Sequence, residues 1–509
     1  MQESYLMGID AGTGAVRCAL TDSKGEHFIS SYKEWNYQPS KIHSTGIDFD
    51  PKFFWQLTCE TIRDVLKKSK ISPEEIIAIS STSQRGAMVF LDKEGGELYA
   101  GPNVDSRALT EDWIDFELKK EIYFTSGQWL STIFAPCRMA WFKKNDKEIF
   151  KKVDKIISMS DWVLYKLSGE IASEPSNGCV ILPINLEKIS WSKDILDKFN
   201  LSTDILPELL PSGTVIGKIS EKTSQETGLS KKTLVVTGGA DTQCALLGTG
   251  AIENKDTTAV AGTWCPIQMV LDKVVIDKKL RAMSECHVIP NKWILESSAL
   301  MFGLVYRWFK ETFCFEEEII ARDKQKTVYK VMDERAKKAP IGAEGLFSFI
   351  GVGIMDMSRK SLLTEGSCII PPTTFISGIP SKNDFLRAII ESMAYAIRAN
   401  CEELEEISGV SIKELRICGG NANNKLLLNI LATLLNKPVL TVKNKEATSV
   451  GSLICAGVGS NIYSNFKEGV QQLVKYEDNI IEPQKTDIEQ YNALYSRWRD
   501  LYDKNSMPS

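Results

Sequence analysis

Two short segments of similar design constrain the fold of this chain more than any other feature. Residues 5–14 and residues 235–243 each run from apolar residues into a glycine turn that presents one aspartate. This pattern predicts a β-strand that opens into a loop, with Asp10 ending the first strand and Asp241 just before a helix over residues 244–247. Together the two segments indicate a phosphate site with a metal-linked acid and a separate catalytic acid.

The rest of the chain reads as two related halves. A length of 509 residues predicts two or more domains. After Asp241, two strands around Gly262 repeat the N-terminal pattern of two strands and a turn. Predicted strands cover residues 5–10, 16–21, 28–32, 76–81, 257–262, 267–271 and 415–418. Predicted helices cover residues 52–68, 160–167, 299–313, 384–408, 425–435, 448–458 and 487–503.

Composition argues against several kinds of partner. The net charge of −5 and the pI of about 5.6 argue against a nucleic-acid partner, which favours a basic face. No apolar run approaches the ~18 residues that span a bilayer, and the N-terminal segment has no signal-peptide pattern, so we expect no membrane partner. The 12 cysteines form no C-x-x-C pair, which predicts a reducing, cytoplasmic setting.

The first glycine loop, from Asp10 to Gly14, is a candidate anion site. Its glycines let backbone N–H groups approach an anion, Thr13 contributes a hydroxyl and Arg17 a positive charge. A carboxylate at a strand end suits Mg²⁺, bound directly or through water. The dinucleotide fingerprint G-x-G-x-x-G is excluded, because Arg17 occupies the position of the third glycine. The alternative is a tight hairpin in which Asp10 caps a turn.

Two later glycine turns have similar chemistry. Gly262 and Thr263 can bind a phosphate through a backbone N–H and a hydroxyl. A plain β-turn is the alternative interpretation of the same residues. Gly419 and Gly420 precede a predicted helix, whose N-terminus favours an anion or a polar group. Their lack of side chains allows a nucleotide base or ribose to lie flat against the chain, and a simple N-cap loop is the alternative.

Polar residues follow other apolar runs. Gln84 and Arg85 come after one predicted strand, and Asp105 lies in a D-x-R segment. These groups can hydrogen-bond a polyol, and surface loop charges are the alternative. The chain contains neither a G-x-x-x-x-G-K-[ST] segment nor an H-R-D loop, so a phosphotransferase of this sequence belongs to neither of those classes.

Taken in order over roughly residues 7–460, these segments resemble the FGGY family of carbohydrate kinases. The resemblance covers nearly the whole chain. It implies an α/β fold of two ribonuclease-H-like domains, of the actin/hexokinase superfamily, around a central cleft. We expect residues 1–249 to form the domain with the acceptor side, the first phosphate loop and the catalytic aspartate. Residues 250–509 should form the domain with the ATP and adenosine side.

The resemblance also implies roles for single residues. Asp241 matches the catalytic base, and Asp10 matches the acid near Mg²⁺. The residues that match ATP-binding positions are Thr13, Gly14, Arg17, Gly262, Thr263, Gly419, Gly420 and Asn424. The residues expected to orient the acceptor are Gln84, Arg85, Asp105 and Gln243. The expected ligands are ATP, Mg²⁺ and a small sugar-like acceptor, and a homodimer is a further expectation.

Within the family, several stretches are most similar to kinases that phosphorylate the terminal hydroxyl of an open-chain dihydroxy-dione, a quorum-sensing signal. These stretches include residues 9–17, 103–108, 160–170, 287–290 and 307–309. The acceptor side departs from that group, with Gln84 where methionine is usual and Ala240 where glycine is more usual. A kinase for a ketopentose or another polyol is therefore the main alternative. A catalytically silent sugar sensor and, more weakly, an actin-like filament protein are the others.

Overall fold

The chain is built around two six-stranded sheets. The computed structural model describes residues 4–40, 44–110, 115–131, 133–358, 366–372 and 379–505. The strands are β1 (Tyr5–Ala11), β2 (Ala15–Asp22), β3 (Phe28–Glu34), β4 (Gln38–Pro39), β5 (Ile47–Asp48), β6 (Ile76–Ser83), β7 (Met88–Leu91), β8 (Glu97–Gly101), β9 (Lys155–Ser158), β10 (Ile184–Asn185), β11 (Ser190–Trp191), β12 (Val215–Lys218), β13 (Leu234–Ala240), β14 (Thr257–Val260), β15 (Pro266–Leu271), β16 (Met283–Cys286), β17 (Trp293–Ser298), β18 (Phe347–Ser348), β19 (Cys368–Ile369), β20 (Leu415–Cys418) and β21 (Val439–Thr441).

Helices cover much of the remaining chain. The α-helices are α1 (Pro51–Ser69), α2 (Phe116–Ser126), α3 (Ala135–Asn145), α4 (Lys147–Lys152), α5 (Met159–Ser168), α6 (Pro175–Ile181), α7 (Lys193–Lys198), α8 (Glu221–Thr227), α9 (Asp241–Gly248), α10 (Phe302–Phe313), α11 (Phe315–Asp323), α12 (Val328–Ala336), α13 (Lys382–Ser408), α14 (Lys425–Leu435), α15 (Ala447–Gly459), α16 (Phe466–Leu473) and α17 (Ile488–Asn505). Short 3₁₀ helices cover Pro73–Glu75, Arg107–Thr110, Thr203–Ile205, Ala343–Gly345, Gly420–Asn423 and Lys485–Asp487. Within these described ranges, no helix is long and apolar enough to cross a membrane.

The two large sheets share one strand arrangement. The first has the order β12-β13-β6-β1-β2-β3, in which β2 pairs antiparallel with both β1 and β3, and β1, β6 and β13 run parallel. The second has the order β16-β17-β15-β14-β20-β21, in which β14, β15 and β17 are antiparallel neighbours and β14, β20 and β21 run parallel. The repeated five-strand pattern confirms the predicted α/β fold of two ribonuclease-H-like halves.

Local sequence explains why the elements begin and end where they do, as α1 illustrates. The Asp50 carboxylate accepts the N–H groups of Lys52 and Phe53, and Pro51 occupies the first helical position. The helix ends at Ser69, and the capping residue Lys70 has a left-handed φ of 60°. The predicted helix over residues 52–68 is therefore confirmed.

One part of the N-terminal half was not predicted as a unit. Strands β7, β8 and β9 form a separate three-stranded sheet with the order β8-β7-β9. Buried residues of this sheet pack with those of α2, α3 and α6 in their own hydrophobic cluster. The acceptor segment Gln84-Arg85 lies between this small sheet and the first large one.

Two helices join the halves. Helix α15, from the C-terminal half, packs on α9 and on the first sheet. A Cβ on Gly451 would lie 2.0 Å from the carbonyl oxygen of Cys244, and one on Gly248 would lie 1.9 Å from that of Ala447. These glycines let the two helix backbones touch, so α9, which begins at Asp241, is braced directly by α15.

Candidate active site

The predicted loops meet at the carboxyl ends of the parallel strands. In the first sheet Asp10 is the register partner of Thr82 in β6, and the N–H of Gln84 donates to the carbonyl of Ala11 at 3.0 Å. Asp241 directly follows β13, the next parallel strand. In open α/β sheets ligands bind at this edge. The structure therefore brings Asp10, Gln84 and Asp241 to one edge of the first sheet.

Both Asp10 and Asp241 have a raised pKa. Burial, and then the negative charge of Asp241, raise the pKa of Asp10 to about 7, although Arg17 opposes the shift. Burial also raises the pKa of Asp241 to about 6, against the opposing charge of Arg85. A carboxylate whose ionised form is disfavoured by burial and by a nearby negative charge is stabilised by binding a divalent cation or a proton.

A chain of hydrogen bonds fixes the backbone just before Asp241. The N–H of Ala240 donates to Oγ of Ser176 at 2.9 Å, and that hydroxyl donates to Oε2 of Glu174 at 2.6 Å. Glu174 is 1% exposed and also caps the first turn of α6. On the helix side, the N–H of Thr242 donates to Oδ1 of Asp241 at 2.8 Å. The aspartate is thus held in place from both sides.

Arg17 reaches the same edge from β2. Its Nη1 lies 4.0 Å from Oδ2 of Asp10, and its Nε lies 3.5 Å from Oε1 of Glu446, which immediately precedes α15. The side chain is 32% exposed, so its guanidinium also faces solvent. Arg17 therefore brings positive charge beside Asp10, while the sequence analysis had not indicated its partner Glu446.

The glycine loops leave open space where an anion can approach. A Cβ on Gly14 or on Gly420 would meet no atom within 4 Å, and one on Gly262 would meet only the carbonyl oxygen of Trp264, at 3.5 Å. Trp35 holds the first loop, since its ring N–H donates to the carbonyl of Gly12 at 3.0 Å. Bare backbone beside open space is the feature that a phosphate chain needs.

The first loop, at Thr13, and the third loop, at Gly419, have different surroundings. Thr13 is exposed at the tip of the first loop. Gly419 adopts a φ of 89°, and a Cβ there would come within 2.8 Å of the Ala261 backbone. The third loop consequently lies against the loop that contains Gly262 and Thr263, and the two can bind one ligand together.

Asn424 has a supporting position in the third loop. Its Oδ1 accepts the N–H groups of Leu426 and Leu427 at 3.0 Å each, which caps α14, and its Nδ2 donates to Asp333 at 2.8 Å. The side chain is therefore bonded within the protein at both ends, and direct contact between Asn424 and a nucleotide stays a prediction.

Arg85 lies in a buried cluster that joins the two halves. Its Nη1 donates to Glu285 at 2.8 Å and to Glu296 at 2.7 Å, and its Nη2 donates to Glu296 at 2.9 Å. Glu285 lies in β16 and Glu296 in β17, and their side chains are 0% and 2% exposed. An arginine of the N-terminal half thus forms ion pairs with two carboxylates of the C-terminal half.

Amide side chains complete this cluster. Nε2 of Gln243 donates to Glu285 at 2.6 Å, and Nε2 of Gln268 donates to Glu296 at 2.5 Å. Burial and the neighbouring Glu296 raise the pKa of Glu285 to about 7, although Arg85 opposes the shift. The sequence analysis missed both glutamates, and the only signal was an acidic residue within each of two otherwise uncharged strands.

The other acceptor-side residues lie in two settings. Oε1 of Gln84 accepts the hydroxyl of Tyr37 at 2.9 Å, close to Asp241. Asp105 is fully buried, where it accepts the Tyr99 hydroxyl at 2.5 Å and Nε of Arg107 at 2.7 Å. Its other carboxylate oxygen, Oδ1, accepts the backbone N–H groups of Ile47 and Arg107, so contact with an acceptor stays a prediction for this residue.

The side chains at this edge fit one common mode of Mg²⁺ binding. Within the described residues, no three side chains of His, Cys, Asp or Glu converge as a metal cage. Mg²⁺ is commonly held by one or two carboxylates together with substrate phosphates and waters, so Asp10 beside open glycine loops fits that mode. The crowding that raises the pKa of Asp10 would be relieved by such a cation.

Comparison with known proteins gives the family. The FGGY family of carbohydrate kinases matches with its N-terminal domain over residues 5–248 and its C-terminal domain over residues 257–460. The autoinducer-2 kinase of Escherichia coli strain K12 is 31% identical over 504 residues, which is 98% of this chain and 94% of that protein. The autoinducer-2 kinase of Yersinia pestis strain Pestoides F is 32% identical over 509 residues with the same coverage.

Solved structures agree on the fold. The ligand-bound xylulose kinase of Lactobacillus acidophilus superposes with a TM-score of 0.85 at 20% identity, covering 98% of each chain. The glycerol kinase of Plasmodium falciparum with ADP superposes with a TM-score of 0.84 at 17% identity, covering 100% of this chain and 99% of that one. The chain belongs to the FGGY family of carbohydrate kinases. It is a sugar kinase, with ATP as phosphate donor and a sugar-like acceptor.

The family assignment leaves two earlier expectations open. The predicted division between residues 249 and 250 lies between the two matched segments and stays a prediction. The roles of the individual site residues also stay predictions.

Proposed function

We propose that this kinase phosphorylates the open-chain form of autoinducer-2. The main support is that relatives 31–32% identical over 98% of this chain are autoinducer-2 kinases. The acceptor would be a small, uncharged, hydroxyl-rich molecule. A cluster of one arginine and two glutamates with no net positive charge, at Arg85, Glu285 and Glu296, suits such an acceptor better than an anionic one.

Asp241 is the proposed general base. Its Oδ1 is engaged by the N–H of Thr242, which leaves Oδ2 to take the proton of the acceptor hydroxyl. With a pKa of about 6 the carboxylate is mostly ionised at neutral pH, yet it is more basic than an ordinary aspartate. A base with a pKa just below the working pH combines the correct charge state with a useful proton affinity.

Other residues hold the two substrates in place. Thr13, Gly14 and Thr263 would bind phosphate oxygens through backbone N–H and hydroxyl groups, and Arg17 would add positive charge. Bound MgATP would supply the phosphoryl group and the charge neutralisation that its transfer needs. The remaining N–H groups of Arg85, together with the amide of Gln84, would orient the acceptor at Asp241.

The metal, the oligomer and the location remain proposals. Asp10 is the proposed Mg²⁺ contact, on the grounds of its raised pKa and its position beside the open loops. A cytoplasmic location agrees with the 12 free thiols. A homodimer is testable by size-exclusion chromatography with light scattering, and a mass near 56.9 kDa would contradict it.

A ketopentose kinase is the second candidate. The observation that favours it is the acceptor segment, where Gln84 is bonded to Tyr37 in place of the methionine that is usual in the autoinducer-2 group. An amide can donate hydrogen bonds to a polyol and accept them from it, whereas a thioether is only a weak acceptor.

A coupled ADP-release assay with MgATP separates the two candidates. The acceptor panel contains the autoinducer-2 precursor, D-xylulose, L-ribulose, L-fuculose, glycerol and a control without acceptor. A kcat/KM for the precursor at least about tenfold above every sugar, which is ~1.4 kcal/mol in transition-state binding, supports the proposal. Preference for a ketopentose would replace it with the second candidate.

A further inference from the structure

A cavity of ≈370 Å³ lies at the turn end of the β2–β3 hairpin, away from the glycine loops. Its walls come from both halves of the chain, and the lining residues are Thr21, Gly25, Phe28, Lys443, Asn444, Val450, Leu453, Leu473 and Lys475. The volume lies in the roughly 300–1,000 Å³ range of small-molecule sites. Thr21 is four residues from Arg17 on β2, about 14 Å along the strand, so the cavity is separate from the proposed active site.

The lining is divided into an apolar floor and a basic rim. Phe28, Val450, Leu453 and Leu473 provide the floor, whereas Lys443 and Lys475 stand at the rim. The hydroxyl of Thr21, a residue that is 1% exposed, has no hydrogen-bond partner within the described residues. A buried hydroxyl is seldom left without a partner, so its position in a cavity wall points to a bound ligand.

The two lysines are available to an anion. Nζ of Lys475 donates to the backbone oxygen of Gln471 at 3.1 Å, and among the described residues Lys475 forms no ion pair. Lys443 pairs with Asp478 at 2.7 Å, but these side chains are 49% and 85% exposed. Exposed pairs are worth little, and a ligand anion can therefore compete for Lys443.

We propose that this cavity is an effector site for a small organic anion with an apolar body. The anionic head lies between Lys443 and Lys475, the apolar body rests on Phe28 and Leu473, and Thr21 donates its hydroxyl to a ligand oxygen. Carboxylates and phosphate esters share this chemistry. The rim favours neither on geometry alone, so the test includes one of each.

The cavity is connected to the active site by a short series of contacts. Oδ1 of Asn444, in the cavity wall, accepts the N–H of Glu446 at 3.0 Å. Glu446 lies 3.5 Å from Nε of Arg17, which in turn approaches Asp10. A ligand that reorients Asn444 therefore displaces the acid that competes with the nucleotide for Arg17. Coupling of this kind commonly changes affinity ~5–150-fold.

Calorimetric titration of the full-length protein with model anions tests the binding without depending on the acceptor. The probes are hexyl phosphate, hexanoate, inorganic phosphate and uncharged hexanol. We expect one molecule of hexyl phosphate or hexanoate per chain, bound both with and without saturating MgATP, with an affinity that MgATP changes by the same factor as the anion changes the affinity for MgATP. Displacement by MgATP, binding of hexanol as tight as that of the anions, or no heat up to about 10 mM would each overturn the proposal.

Variants place the ligand in the cavity. Lys443→Met with Lys475→Met should weaken binding about tenfold, and Thr21→Val should weaken it about threefold at unchanged cavity shape. The matched control is Lys232→Met, an exposed lysine that does not line the cavity, which should bind as the parent does. Thermal melting of each variant verifies folding, and equal affinity in all four proteins would overturn the assignment.

The coupling has its own measurement. Saturation with the tighter anion should change the KM for MgATP at least about threefold, and Asn444→Ala should remove that change while binding persists. An unchanged KM in the parent protein would refute the effector role. This outcome is independent of which acceptor the kinase prefers, because any accepted substrate serves in the assay.

Discussion

Replacing Asp241 by asparagine should separate stability from catalysis at the proposed active site. The asparagine keeps the shape and the oxygen that accepts the N–H of Thr242, but it removes the base. Loss of general-base assistance should lower kcat by ~10²–10⁴-fold. ATP binding should persist, because the glycine loops are unchanged.

The same substitution should stabilise the fold at high pH. Folding raises the pKa of Asp241 from 3.8 to about 6, so ionisation of this group opposes folding. This free-energy cost of ionising Asp241 in the folded chain is absent at pH values below the pKa of the unfolded state and is fully present above the pKa of the folded state. This pKa difference corresponds to a loss of ~3 kcal/mol in the free energy of unfolding at pH 8 and roughly half of that at pH 5. The partial exposure of Asp241 reduces both figures.

Two assays together test this reasoning. Steady-state ADP release measures kcat, and thermal melting at pH 5 and at pH 8 measures stability, with the exposed Asp500→Asn as matched control. We expect Asp241→Asn to melt higher than the parent, by a larger margin at pH 8. A near-normal kcat would remove Asp241 from the base role, and a margin that does not grow with pH would refute the electrostatic argument.

Three further predictions follow from the geometry. Gly14→Ala fits the folded chain, because the space beside Gly14 is open, but fills the phosphate position, so the KM for ATP should rise about tenfold at an unchanged melting temperature. Arg85→Met leaves buried carboxylates unpaired and should cost about 3–5 kcal/mol at pH 8 in urea unfolding, with partial recovery at pH 5 as Glu285 takes a proton. Ser176→Ala leaves the N–H of Ala240 without its acceptor, which should cost ~1–3 kcal/mol and lower kcat with little change in the acceptor KM. An unchanged KM for ATP would contradict the prediction for Gly14→Ala. A loss of stability that does not depend on pH would contradict that for Arg85→Met. A changed acceptor KM with a normal kcat would contradict that for Ser176→Ala.

Much of the proposed site could be predicted because its signals are local. An apolar run, a glycine turn and an aspartate lie within ten residues at both Asp10 and Asp241. A β-strand can be predicted from the apolar pattern of its own segment, without knowing which strand pairs with it. Parallel pairing of β1, β6 and β13 then places the loops at one edge. The same local logic identified Gly262 and Gly419 as backbone that can approach a ligand.

The partners of these residues could not be predicted in the same way. Arg85 is 200 residues from Glu285 and 211 from Glu296, so no local pattern connects them. Asn424 matched an adenosine-loop position, yet in the fold it caps α14 and bonds to Asp333. Such roles depend on which surfaces of the two halves face each other.

The sequence by itself determined the glycine loops and the two aspartates, because each is encoded within a few neighbouring residues. The order of these segments along the chain determined the two repeated halves and the kinase family. Only the tertiary structure decided the electrostatics. The raised pKa of Asp10 arises from burial and from Asp241, 231 residues away, and the state of Arg85 is set by carboxylates of the other half. Charge–charge energies depend on distance and solvent exposure, and both are properties of the folded chain.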